Sequence, residues 1–361
     1  MLEALGYSFF RAPRWNINCL RANKFRERYS IMTKIVVIGA NSFSGQDFVD
    51  LLLDDPNNEV IGVSRSAERS ALFLRYKTRS DLSHYRYVQA DLNQDMPTLL
   101  NLFDSERPEY IVNFAAQSEV GPSWEHPEHW FQTNTVALAL MVNHLRKQDY
   151  LKRYLHISSP EVYGNCVGTV TEKTPLNPST PYAASKAAAD MLLNTYAKQY
   201  DFPLITVRAT NVYGARQQLF KIIPRSVIYL KQNQKIELHG GGVAVKSYIH
   251  IRDVSRGELA LLEQGQIGQL YHISPDQGIA VRDVVQMSCE QMGKSFEEAT
   301  TIVGERPGQD AAYVIDSSRV RTDFGWTPQI DIKQGLADVV EWVEDYWNEI
   351  LQQPLGYQHK P

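Results

Sequence analysis

The sequence predicts an α/β protein, a doubly wound parallel sheet with a smaller C-terminal α/β lobe. Strand-like and helix-like stretches alternate through about residue 207. The first strand-like run, Ile35–Ile38, is apolar at every position, which suits a central strand covered by helices on both faces. It leads directly into a glycine-bracketed turn and an amphipathic helix. A chain of 361 residues with 43% hydrophobic and 22% charged residues is long enough for a large α/β unit with an added lobe. No apolar run approaches the roughly 20 residues that span a bilayer, so no membrane association is expected. The net charge of −4 gives no reason to expect a nucleic-acid partner. Three dispersed cysteines (Cys19, Cys166, Cys289) suggest neither a disulfide framework nor a metal-ligand spacing and point to a reducing, cytoplasmic compartment.

Residues 1–31 carry six Lys/Arg against two acidic residues, lack clean periodicity and precede a second methionine, Met32. They are expected to be a disordered extension or a non-native start. Next, "KIVVIGANSFSGQDFVDLLL" (34–53) reads as strand, tight turn and helix. Gly39 and Gly45 take the outer places of a G-x-x-G-x-x-G pattern whose middle position is Ser42. Such a turn lets backbone approach a pyrophosphate, and the helix start offers free N–H groups to the anion. A dinucleotide is therefore expected at Gly39, Asn41, Ser42, Phe43, Ser44 and Gly45.

The following strand, "EVIGVSRS" (59–66), ends Ser64-Arg65-Ser66, with Arg69 beyond. An acid at this strand end would bind a ribose 2′-hydroxyl; a cation suits a 2′-phosphate, so NADP is preferred to NAD. "VQADLN" (88–93) places Asp91 and Leu92 at the adenine. "YIVNFAAQS" (110–118) is a fourth strand whose small exit residues Ala115 and Ala116, with Gln117, leave room for the middle of the cofactor. Ser118 and Glu119, just beyond, are expected at the substrate. In "WEHPEHW" (124–130), His126 and His129 stand three apart. They are read as ordinary residues at the start of a helix, and no metal site is expected.

"HISSPEVYG" (156–164) ends an apolar strand in two serines, followed by Pro160 and Glu161. "PSTPYAASKAAADMLLNTYAKQY" (178–200) is a long Ala-rich helix opening on prolines. Tyr182 and Lys186 lie four apart, hence on one helix face. A phenol titrates near ~10, and a lysine ammonium one turn away, with a positive nicotinamide, is expected to lower it toward neutrality. Arg216 falls in the loop before "KIIP", where a base or sugar substituent could be read.

These motifs together resemble the extended short-chain dehydrogenase/reductase family and, within it, the nucleotide-sugar 4,6-dehydratases of the TDP-glucose and GDP-mannose types. The resemblance spans residues 33–345. "HISSPEVYG", "PYAASK" (181–186), the N-x-Y-G of Asn211–Gly214, "GGGVAVKSYIHIRDV" (240–254) and "RPGQD" (306–310) each match a family segment. The resemblance implies Ser159, Tyr182 and Lys186 for oxidation at C4 of the sugar and Glu161 as the base that takes the C5 proton. It further implies Asn211, Lys246, Arg306 and Asp310 as contacts to the nucleotide sugar. It implies a tightly bound, recycled cofactor and a homodimer or tetramer built on helices near 128–148 and 181–200. Two departures stand out. Lys246 occupies a position where an arginine is usual, and Pro160 stands where the TDP-glucose type has an aspartate and the GDP-mannose type a serine.

By this reading residues 33–207 with about 244–273 form the Rossmann, NAD(P)-binding domain, and about 208–243 with 274–361 the substrate lobe. Rival readings on the same scaffold are an epimerase or 4-keto reductase, a nucleotide-sugar decarboxylase and a 5,6-dehydratase. Decarboxylases carry a charged stretch about the tyrosine, where this chain reads "TPYAASK". An inactive cofactor-binding structural or regulatory protein would not need Ser159, Tyr182 and Lys186 together.

Overall fold

Seven parallel strands organise the chain. In the computed structural model, which describes residues 32–165, 168–304 and 312–360, these are β1 (Thr33–Ile38), β2 (Asn58–Ser64), β3 (Tyr85–Gln89), β4 (Tyr110–Asn113), β5 (Arg153–Ile157), β6 (Leu204–Ala209) and a seventh, Leu270–Ile273. The order across the sheet is Leu270–Ile273, β6, β5, β4, β1, β2, β3. The order reverses at β1, which pairs with β2 on one side and β4 on the other. Ligands of open α/β sheets sit at the carboxyl ends of strands at such a switch point. The expected doubly wound parallel sheet is thus present, and all of it lies within Thr33–Pro361.

Alternate residues of β1 serve different cores, as period-2 geometry requires. Ile35 and Val37 join Phe48, Val49 and Leu52 of helix α1 (Phe43–Leu52) and Val254 and Leu261 of the Ile251–Gln264 helix. Val36 and Ile38 join Phe103, Met141 and Leu193 on the opposite face. A third core gathers Ile223, Val227, Val284, Leu336, Val339 and Trp342. It includes Leu72 and Phe73 from the segment after β2. Short strand pairs accompany it, Ile236–His239 with Thr300–Val303, and Val245–Lys246 with Ile279–Ala280. No helix among the described residues is long and apolar enough to cross a membrane.

"SYIHI" (247–251) lies outside the main sheet, Ile249–His250 pairing with Val212–Tyr213, and the helix after it leads to the seventh strand. One element differs from the sequence reading. The helix expected near 128–148 is interrupted: Pro127–Phe131 passes through a π-helical Gln132–Ala137 into Leu138–Leu145. The inserted turn has a use. Asn134 Oδ1 accepts from the Gln117 N–H (2.9 Å), and its Nδ2 donates to Ser185 Oγ (2.9 Å), tying the β4 exit to the Pro181–Tyr200 helix.

Candidate active site

The turn after β1 is shaped by sterics. Gly39 has φ +88°, and a Cβ there would lie 2.7 Å from the Ala115 backbone nitrogen. A Cβ on Gly45 would lie 2.3 Å from the Gly39 carbonyl oxygen. Both positions therefore need glycine. Ser42, in the place of the middle glycine, is the N-cap of α1, its Oγ accepting from the Gly45 N–H (3.0 Å). This narrow turn, opening at a helix start, fits a dinucleotide pyrophosphate. Asn41 faces away from the turn, donating through Nδ2 to the Ala67 carbonyl (2.9 Å) and Tyr87 Oη (2.8 Å), while Ser64 Oγ accepts from the Asn41 N–H (2.9 Å). Asn41, Ser64 and Ser66 thus lock the β1 turn to the β2 exit. Asp91 accepts from the Asn93 N–H (2.8 Å), shaping the β3 exit beside Leu92.

The "SSPEVYG" segment is a 3-10 turn over Pro160–Tyr163. Ser159 is its N-cap, with Oγ accepting from the Glu161 N–H (3.2 Å). Pro160 occupies the first helical position, where its missing N–H costs nothing, and is buried. Sequence alone left the purpose of this proline open; locally it starts the turn that carries Glu161. The long helix opposite begins with Thr180 Oγ1 accepting from the Ala183 N–H (3.1 Å) and Pro181 at the first position, which presents Tyr182 and Lys186 from its first two turns.

One cleft of about 1100 Å³ takes in these pieces. Its walls include Ser42, Phe43, Ser44 and Ala116, then Ser118, Glu119, Asn211 and Lys246, together with Ser159, Glu161, Tyr182 and Lys186. Arg216 is not brought there. Its backbone takes φ +73°, and its guanidinium packs 5.6 Å over the Tyr346 ring, so the neighbouring Gln217 lines the cleft instead. Arg65 and Gln117 meet the end of the chain: both donate to the Lys360 carbonyl, at 3.2 Å and 2.6 Å. Arg69 stacks on Phe73, 3.3 Å above its ring. Arg306, Asp310 and Cys166 lie outside the described residues.

Tyr182 is pushed above the ordinary phenol value, by burial first and then by the charge of Glu161, with the Ser159 hydrogen bond acting against them. In the chain without a cofactor the phenol is therefore protonated at neutral pH. Lys186 is lowered to about 8, mainly by burial, which Asp190 partly offsets; its Nζ donates to the Ile157 carbonyl (2.8 Å).

Sequence reasoning missed what lies behind the lysine. Asp190 is buried and accepts from Ser158 Oγ (2.6 Å) and Arg208 Nη2 (2.6 Å), and Arg208 also donates to Tyr163 Oη, which bonds His272 (2.7 Å). Its position one turn after Lys186 on the same face was the available signal. Asp190→Asn should leave the Arg208 charge buried without its counterion and cost about 3–5 kcal/mol, read as a lower midpoint in urea. Missed as well was Lys221, which pairs with Glu119 (2.7 Å) at the cleft wall.

A glycine-cradled turn at a switch point, with a Ser-Tyr-Lys set facing it, defines a dinucleotide-dependent enzyme of the extended short-chain dehydrogenase/reductase type. Residues 36–339 match the family model for GDP-mannose 4,6 dehydratase, and the chain belongs to that family of nucleotide-sugar 4,6-dehydratases. A dTDP-glucose 4,6-dehydratase of Xanthomonas campestris is 31% identical over 276 residues, covering 71% of this chain and 78% of its own. The human dTDP-D-glucose 4,6-dehydratase is 28% identical over 86% of this chain and 89% of its own. The crystal structure of a dTDP-glucose 4,6-dehydratase from Streptomyces venezuelae with NAD bound superposes with a TM-score of 0.81 at 28% identity, covering 90% of this chain and all of that one.

Proposed function

We propose that this chain binds NAD(P) and a nucleotide hexose and removes water across C5–C6 to give a 4-keto-6-deoxy sugar nucleotide. The observation that carries this reading is Glu161 standing in the same cleft as Ser159, Tyr182 and Lys186. A simple epimerase needs the last three residues and has no work for the carboxylate.

Ser42, Ser44 and the start of α1 would hold the pyrophosphate. When bound, the nicotinamide supplies the redox chemistry, accepting hydride from C4 and returning it to C6. With the positive nicotinamide ring bound beside the Lys186 ammonium, the Tyr182 phenol would ionise, its proton passing to solvent, and the phenolate, steadied by Ser159, takes the proton of the 4-hydroxyl. The C4 ketone acidifies C5–H; Glu161 takes that proton and gives it to the hydroxyl that leaves C6 as water, so one carboxylate serves as base and then acid. As hydride returns to C6 a proton is added at C5, balancing the one released from the 4-hydroxyl. The test is incubation with a panel of nucleotide hexoses without added reductant. Loss of 18 Da by mass spectrometry is expected, whereas an unchanged mass with an inverted C4 centre would mean an epimerase.

Several finer assignments belong to the same proposal. The seven-stranded sheet, residues 33–207 with about 244–273, serves the cofactor, and residues 208–243 with 274–361 serve the sugar nucleotide. Val136, Leu140 and Met191 expose apolar side chains on neighbouring helices, the face where a second copy would pack as a homodimer. Cys289 is buried and free, in keeping with a reducing, cytoplasmic setting. Arg65 at the β2 exit favours NADP. Arg65→Ala should raise the Kd for NADP by about tenfold more than the Kd for NAD, in line with the 1.5–3 kcal/mol of a charge-assisted hydrogen bond. Equal losses for both cofactors would remove Arg65 from the 2′-phosphate.

A further inference from the structure

The C-terminal segment runs back over the cofactor side of the sheet and makes a specific contact at each step. After the Trp347–Ile350 helix, Leu355 packs on the third core, and Leu355, Gly356 and Tyr357 enter the cleft wall. Tyr357 sits edge-on to Phe220, ring centroids 5.5 Å apart at 78°. Its Oη meets His359 Nδ1 at 3.1 Å. His359 Nε2 meets His129 Nδ1 at 2.8 Å, and its ring lies parallel to that of Trp130, 5.3 Å away at 6°. Lys360 ends the run, with its carbonyl accepting from both Arg65 and Gln117.

Arg65 follows β2 and Gln117 follows β4, the two strands that flank β1. A single carbonyl bonded to both therefore spans the exit of β1, where the Gly39 turn lies. We propose that residues 351–360 form a strap across the adenosine end of the groove, retaining the dinucleotide from one turnover to the next. This rests on the reading that Arg65 and Gln117 flank the cofactor. Retention has a chemical purpose in a reaction that is redox-neutral overall. Hydride removed from C4 must return to C6 of the same sugar, so a cofactor that leaves after the first step strands the intermediate. A strap fastened at both sides of the groove must lift before the adenosine can leave, and such lifting is a local opening of a segment with few core contacts. Its anchors are Tyr357, His359 and the Lys360 carbonyl. His126 and His129 act as the landing surface, with one ring nitrogen of His129 already taken by the strap.

The test is the release rate of bound NADPH or NADH, followed by fluorescence after mixing with excess oxidised cofactor. A chain ending at Gly356 should release it at least tenfold faster than the full chain. His359→Ala should release it severalfold faster, and His359→Gln, which keeps a hydrogen-bonding side chain, should recover part of the loss. For His359→Ala, kcat at saturating cofactor should stay within about twofold while the KM for cofactor rises. Should the shortened chain fail to fold, the two His359 variants carry the measurement. Release rates unchanged in every variant, or tighter binding after truncation, would overturn the strap. A full chain that binds no dinucleotide would overturn the cofactor reading itself, a different result from binding with unaltered release.

Discussion

Tyr182→Phe should lower kcat by about 10²–10⁴-fold, the range for losing a positioned proton acceptor, while binding of cofactor and sugar nucleotide stays nearly unchanged. The substitution removes one oxygen and keeps the buried ring, so the midpoint of thermal unfolding should move little. The loss should appear already in the first half-reaction, as failure to reduce the bound cofactor on adding nucleotide hexose. Rapid cofactor reduction with a slow overall rate would mean that some other group accepts the 4-hydroxyl proton. The resting protein bears on this expectation. Burial and the Glu161 charge hold the Tyr182 phenol protonated, and Lys186, at about 8, is mostly an ammonium at neutral pH. Above that value the lysine gives up its charge and with it the electrostatic support for a phenolate. Lys186→Met should therefore impair the same half-reaction, and the phenol should become still harder to ionise.

Much of this site was legible in the chain because its parts are local. The Gly39–Gly45 turn, the serine-ended strand β5 and the Tyr182–Lys186 spacing are each set within a few residues, where sterics and helix periodicity act directly. The parallel sheet followed from apolar runs such as Ile35–Ile38, which only a two-sided cover explains. What escaped was set by contacts between distant segments. Nothing near Asn134 signals that a π-helical turn will bring it to Gln117 and Ser185. Lys221 meets Glu119 only because the two walls of the cleft close on each other. Residues 351–360 were read only as part of the 274–361 lobe, yet the Lys360 carbonyl meets Arg65 and Gln117, 295 and 243 positions away. Tyr182 shows the same limit in energetic form: the lysine four residues on was visible, whereas the burial and the Glu161 charge that raise the phenol were not.

Glu161→Gln separates the two halves of the reaction. The turn that aims residue 161 is held through its backbone N–H, bonded to Ser159 Oγ, so the amide should occupy the place of the carboxylate. Elimination should fall by about 10²–10⁴-fold, whereas oxidation at C4 should persist and the bound cofactor should accumulate in its reduced form. The electrostatics sharpen this expectation. The Glu161 charge is the second largest cause raising the Tyr182 phenol, so neutralising it should ease, not hinder, removal of the 4-hydroxyl proton. A mere structural disturbance at residue 161 would slow both halves together. Pro160 provides the complementary test. Proline cannot donate a proton, and it stands at the first position of the turn that carries Glu161. If one carboxylate is both base and acid, Pro160→Ser should change elimination only a few-fold, through a looser turn, and Glu161→Gln should not be rescued by placing an acid at 160. Full elimination in Glu161→Gln would mean that a group other than Glu161 takes the C5 proton, and recovery in the Pro160→Asp/Glu161→Gln double variant would mean that the step does not depend on a carboxylate at 161.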